Sequence, residues 1–160
     1  MILKPDYNVV SLFDIDFKAL KESGVNAVLF DLDSTVMPSK SGMYPQQVKE
    51  LLADLNQNFV VAIISNNKKK EYISKVQEMS DFAVVGHANK PSPKVMAEFL
   101  KSVNLKPEQA VMIGDRPLTD ILAGKLLGSK TILVDSITRD TENKITRVVR
   151  WLERLTIRNW

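Results

Sequence analysis

Apolar residues follow two rhythms along this chain. Five short runs are apolar nearly throughout: Asn26–Asp31, Phe59–Ser65, Phe82–Val85, Ala110–Gly114 and Lys130–Val134. Short runs rich in Val, Ile, Leu and Phe, without polar alternation, are the pattern of strands buried on both faces of a parallel sheet. Between them the apolar positions take helical spacing. Val48, Leu51, Leu52 and Leu55 share one helical stripe, as do Tyr72, Ile73, Val76 and Met79. Val95, Phe99, Leu100 and Val103 form a third stripe, and Ile121, Leu122, Leu126 and Leu127 a fourth. Strand and helix alternating in this way predict an α/β fold: a five-stranded parallel sheet, the Asp31 strand central, with helices on both faces. Residues 36–45, with Pro38, Gly42 and Pro45, read as a loop.

A last helical pattern closes the chain. Ile145, Val148, Val149, Leu152 and Leu155 fall on one face, and Arg147, Arg150, Arg154 and Arg158 on the other, with Trp151 at the boundary. The spacing predicts a basic amphipathic helix within 139–160. Its apolar face is expected to pack on the sheet, leaving the arginines and Trp160 to meet anionic lipid as a peripheral membrane contact.

Length and composition narrow the class. At 160 residues the chain is expected to form one domain over 1–160. A composition of 44% apolar and 26% charged residues excludes collagen-like, disordered and coiled-coil classes. The longest apolar run, Phe59–Ile64, falls far short of the ~20 residues of a membrane span. The N-terminus lacks the pattern of a secretory leader. Absence of cysteine excludes disulfides, thiol nucleophiles and zinc–thiolate sites and fits a reducing compartment. The expected location is cytoplasmic, or peripheral at a membrane. The net charge of +3 resides in residues 139–160, which hold six bases and three acids, so the body is neutral. Such a tail attracts anionic lipid or nucleic acid; the plain alternative is a solvated helix face.

The candidate chemistry sits where the apolar runs end. Asp31 and Asp33 close the first run, and ligands of open α/β sheets bind outside the carboxyl ends of strands. In extended chain, residues i and i+2 share a face and could converge on one ion. If the chain turns after Asp31, the Asp33 carbonyl can face the ion and its side chain a substrate. The alternative is an acidic strand end with capping Asp, Ser and Thr. Asp115 follows the fourth run in the same way, and Asp120 opens the next helical pattern, where it could also serve as a cap. Hard oxygen ligands gathered at one rim suit Mg²⁺. Ser65 and Asn66 end the second run, where a hydroxyl and backbone N–H groups at a helix start can hold an anion. Lys90 lies between Asn89 and Pro91, in a loop that could present it inward or leave it in solvent.

These four stations, in order after successive strands, resemble the haloacid dehalogenase (HAD) superfamily of phosphohydrolases. Asp31-Leu32-Asp33-Ser34-Thr35 resembles its first motif, Asp-x-Asp-x-Thr; Ser65 its second; Lys90 its third; Gly114-Asp115…Asp120 its fourth. The resemblance runs from about Val25 to Val134. It implies a Rossmannoid three-layer α/β/α sandwich and a phosphoric monoester hydrolase. Asp31 would be the nucleophile, forming an aspartyl-phosphate, and Asp33 the general acid–base. Mg²⁺ would be held by Asp31, the Asp33 carbonyl and Asp115, with Asp120 and Thr35 in support. Ser65, Asn66 and Lys90 would bind the phosphoryl oxygens.

Only 29 residues separate Thr35 from Ser65, and 24 separate Ser65 from Lys90, so no cap domain is expected. The lead Leu3-Lys4-Pro5-Asp6-Tyr7…Leu12-Phe13-Asp14-Ile15-Asp16, and Thr131-Ile132-Leu133-Val134 with the basic tail, resemble more closely the lidless, subclass III, YqeG-like branch, which includes phosphatidylglycerophosphate phosphatases. Members often carry Asn where Ser34 stands here. The resemblance implies a phosphomonoester substrate, with a lipid headgroup phosphate in phospholipid metabolism leading. A phosphatase of soluble sugar or nucleotide phosphates, and a non-catalytic binding or assembly protein, are the rival readings. No nucleic acid partner is expected, and an oligomer is compatible with the sequence. His87, near Lys90, reads as a loop residue without a role. Lys68–Lys70 read as a solvated charge run, Arg116 as a neighbour tuning Asp115, and Met37, Met43 and Tyr44 as an apolar flap or loop packing.

Overall fold

The unbroken apolar runs become parallel strands. A computed structural model describes residues 3–137 and 144–158. In it the runs form β2 (Ala27–Phe30), β3 (Val60–Ile64), β4 (Ala83–Val85), β5 (Ala110–Gly114) and β6 (Lys130–Leu133). A two-residue strand, β1 (Tyr7–Asn8), joins the edge beside β6, so the sheet has six strands instead of the five expected, in the order β1-β6-β5-β2-β3-β4. Hydrophobic pattern does not reveal β1 because both its residues are exposed. Polar contacts anchor it instead: the Asp6 carboxylate accepts from the Thr131 backbone N–H at 2.8 Å and pairs with Lys125 Nζ at 2.9 Å.

Strands β2, β3, β5 and β6 bury both faces, and alternate residues enter different cores. Val28, Phe30, Val61, Ile63, Val111 and Ile113 meet Leu20 of α1 (Phe17–Glu22), Leu52 and Leu55 of α2 (Gln46–Asn58) and Val76 of α3 (Lys70–Glu78). Ala27, Leu29, Ala62, Ile64, Ala110 and Met112 meet Met96 and Leu100 of α4 (Lys94–Ser102) and Ala123 of α5 (Leu122–Leu127). The result is the three-layer α/β/α sandwich with β2 between β3 and β5. Full burial of one such aliphatic side chain is worth about 1.5–3 kcal/mol, so the paired cores hold the strand ends in fixed register. Between Thr35 and Ser65 the chain forms a loop and α2, and between Ser65 and Lys90 it forms α3 and β4.

The last helix corrects the sequence-based expectation. α6 (Lys144–Arg158) crosses the carboxyl edge of the sheet with its charged face inward. Arg150 pairs with Asp115; Arg116 with Glu153 at 2.9 Å; and Arg154 with Asp135 at 2.8 Å, also donating to the Val134 carbonyl at 2.8 Å. Ile145, Val148, Trp151 and Leu152 are exposed. The helix lies on strand ends, where the rim is carboxylate-rich, and not on a sheet face where apolar side chains would receive it. Trp160 and residues 138–143 lie outside the described residues.

Candidate active site

The chain leaves β2 through a tight turn. The Asp31 N–H still donates to the Ile113 carbonyl at 2.9 Å, one step beyond the strand. Leu32 O then accepts from the N–H groups of Thr35 and Val36, and Ser34 takes a left-handed φ of 70°. The chain thus turns after Asp31, the second of the two geometries the sequence left open, and the Asp33 side chain is not one of the acids grouped with Asp31. Asp33 Oδ1 instead accepts from Tyr72 Oη at 2.7 Å and from the Lys40 N–H at 2.8 Å.

Asp31 meets two other acids. One carboxylate oxygen from each of Asp31, Asp115 and Asp120 lies within 4.8 Å of the others. Asp115 directly follows β5 and is buried. Asp120, also buried, sits in a π-helical turn, Pro117–Ile121, and its Oδ2 accepts from the Arg116 N–H at 3.1 Å. Its contacts are therefore with the site and its own turn, not those of a helix N-cap. Thr35 Oγ1 lies 2.9 Å from Asp115 Oδ1 and 3.3 Å from Asp31 Oδ2. With one hydrogen it donates to one carboxylate at a time and ties the two strand ends together.

Lys90 is buried among these acids, its Nζ 2.7 Å from Asp31 Oδ1 and 2.8 Å from Asp120 Oδ1. Asn66 puts it there. Asn66 Nδ2 donates to the Lys90 carbonyl at 2.9 Å, and the Lys90 N–H donates to Asn66 Oδ1 at 2.7 Å. One Nδ2 hydrogen and the Oδ1 of Asn66 thus hold the Lys90 backbone, so this side chain clamps the lysine loop. Ser65, buried at the end of β3, accepts from the Asn67 N–H at 3.0 Å through Oγ.

Electrostatics follow from this crowding. Burial, aided by the Asp31 charge, pushes the Asp120 carboxyl up to about 6, although Lys90 pulls it down. Burial opposes the Lys90 charge, but Asp120 and Asp31 outweigh it and hold the ammonium above its usual range. Arg150 supplies a second cation from α6, against Asp115. Tyr72 was missed by the sequence reading because it falls on an apolar helical stripe. Its burial, and its bond to Asp33, push the phenol above its usual range, so it remains a donor.

The other candidates lie apart. His87 and Lys68–Lys70 are exposed. Arg116 turns to Glu153. Met37 is buried with its Sδ 3.5 Å from Tyr72 Oη, Tyr44 pairs with Ser80 at 2.8 Å, and Met43 is exposed, so these three do not form one flap. Gly114 is required by close approach: a Cβ there would run into the Asp120 side chain. Gly114→Ala is expected to displace Asp120 and to lower stability by about 1–3 kcal/mol, measured by urea denaturation.

Carboxylates at the ends of β2 and β5 and a buried lysine from the β4–α4 loop, on a parallel sheet with this order, define the HAD-like hydrolases. Residues 87–152 match the HAD-hydrolase-like family model. A haloacid dehalogenase-like family hydrolase from Xanthomonas campestris shares the fold, with a TM-score of 0.60 at 14% identity over 85% of this chain and 99% of that one. The chain is 31% identical over 151 residues to the probable phosphatase YqeG of Bacillus subtilis, covering 94% of this chain and 87% of that protein. It is 29% identical to phosphatidylglycerophosphate phosphatase 1, chloroplastic/mitochondrial, of Arabidopsis thaliana, over 98% of this chain and 47% of that protein, about half its length. The chain belongs to the HAD-superfamily phosphatases, in the family of YqeG.

Proposed function

We propose that the chain hydrolyses a lipid phosphomonoester through an aspartyl-phosphate on Asp31. The observation that carries the reading is the Lys90 bridge between Asp31 and Asp120, with three carboxylates gathered at one rim. The Asp31 carboxylate attacks phosphorus as the bond to the leaving alkoxide breaks. Asp33, oriented by Tyr72 and the Lys40 N–H, gives that alkoxide a proton. The same residue then takes a proton from water, which attacks the phosphorus and frees Asp31 and inorganic phosphate. Lys90 offsets charge on the transferring phosphoryl group, and Ser65 presents a hydroxyl to it.

Three carboxylate oxygens within 4.8 Å suit a hard divalent cation. Mg²⁺ would be held by Asp31, Asp115 and the Asp33 carbonyl, with Asp120 and Thr35 in support. When bound it supplies positive charge to the phosphoryl oxygens.

The name of the Arabidopsis relative supports phosphatidylglycerophosphate as substrate. So does the short chain between the stations, which forms a loop and α2 and then α3 and β4, too little for a separate cap domain between them. No helix of the described residues is long and apolar enough to cross a membrane. The test is phosphate release from phosphatidylglycerophosphate in detergent micelles, glycerol 3-phosphate, sugar phosphates and nucleotides, with and without Mg²⁺. The expected result is Mg²⁺-dependent release with preference for the lipid. Preference for a soluble ester overturns the substrate.

A further inference from the structure

α6 is turned the wrong way round for a helix in water. Its inward face carries Arg150, Glu153 and Arg154, each in an ion pair with the strand-end loops. Its outward face shows Ile145, Val148, Trp151 and Leu152, each more than half exposed. Three ion pairs at the rim hold the helix in this orientation, so the outer apolar face is a fixed surface. It is bordered by exposed Lys144 and Arg147. The surface does not end with the helix. Arg147 shares a cavity of about 460 Å³ with Val10 and Phe13 of the β1–α1 loop and Ile137 after β6. Val10 and Phe13 are themselves 69% and 52% exposed. Arg147 of the helix thus meets apolar groups of two loops at a cavity that also takes in Thr35, the neighbour of Asp31 and Asp115.

We infer that the outer face of α6, with Val10 and Phe13, is the surface by which this phosphatase lies on an anionic bilayer. The inference rests on the lipid-phosphate reading for its choice of occupant. Charge complementarity supports it independently. With Arg150 and Arg154 committed inward, Lys144 and Arg147 still rim the apolar face with positive charge, the arrangement of an interfacial helix. The contact is thus made by the face that sequence periodicity assigned to the core. Two of the arginines expected to meet lipid, Arg150 and Arg154, serve as the internal anchor. Lying this way, the chain sets the bilayer against the helix whose inner face is anchored on the rim at Asp115.

The test is flotation of the full chain with vesicles of phosphatidylcholine containing about one-third phosphatidylglycerol, beside phosphatidylcholine alone. Wild type is expected to float with the anionic vesicles. Val148→Asp/Leu152→Asp is expected to lose at least about tenfold in partitioning. The same variant keeps wild-type phosphate release from lipid in detergent micelles, because neither residue touches the acids. In a Trp160→Phe background Trp151 is the single tryptophan, and its emission should shift to the blue on vesicle addition. Equal flotation of the double variant overturns the inference. So does a wild-type dimer, seen by light scattering, that the double variant splits, since a second copy then covers the face. Vesicle binding without lipid phosphate release overturns the substrate and leaves the surface standing. Lipid phosphate release in micelles without vesicle binding does the reverse.

Discussion

Asp31→Asn is expected to abolish phosphate release, by about 10⁴-fold or more, with the fold intact. The substitution keeps the shape and hydrogen-bonding reach of the side chain and removes the anion that would attack phosphorus. Lys90 keeps its second partner, Asp120, at 2.8 Å, so its charge is not orphaned. Loss of the Asp31 charge also removes one of the two causes that raise the Asp120 carboxyl. The measurement is single-turnover phosphate release beside thermal melting. A melting curve like that of wild type with no turnover is the expected pair. Turnover within tenfold of wild type would place the nucleophile elsewhere.

Lys90→Met is expected to cost both activity and stability. The lysine is buried, and it separates two carboxylates that would otherwise repel across the site. Removing one partner of a buried ion pair costs about 3–5 kcal/mol, because the charge left behind is uncompensated. For a chain of this size that lowers the melting temperature by on the order of 10 °C. Activity is expected to fall by about 10²–10³-fold, with the loss of a charge that faces the transferring group. Methionine fills much of the lysine volume, so the effect reads charge more than packing. Part of the stability should return in Lys90→Met/Asp120→Asn, which removes one of the abandoned anions, whereas activity should not. A double variant no more stable than the single one would mean that packing, and not charge, sets the cost.

Much of the core was legible in one dimension. The apolar runs marked five of the six strands to within a residue or two, because strands buried on both faces cannot carry polar alternation. β1 was invisible for the converse reason: it is short and exposed, and polar contacts from Asp6 hold it. Asp31, Ser65 and Asp115 were legible as candidates because they directly follow apolar runs, which became β2, β3 and β5, whereas the place of Lys90 in the β4–α4 loop, beside Asp31 and Asp120, needed the structure. Tyr72 was not, since a tyrosine on an apolar helical stripe is indistinguishable from core until its hydroxyl is found 2.7 Å from Asp33.

By itself the sequence determined the class of fold, the order of its strands and helices along the chain, and the set of acids at their ends. These depend on local pattern, which one chain carries in full. Only tertiary structure decided which acids meet. With the turn at Ser34 the Asp33 side chain goes to Tyr72, and the Asp120 carboxylate stands with those of Asp31 and Asp115. It also decided that Asn66 clamps Lys90 and that α6 lies with its arginines inward. Periodicity tells which residues share a face. What that face meets depends on the charge of the surface opposite, and for α6 that surface is a rim of carboxylates.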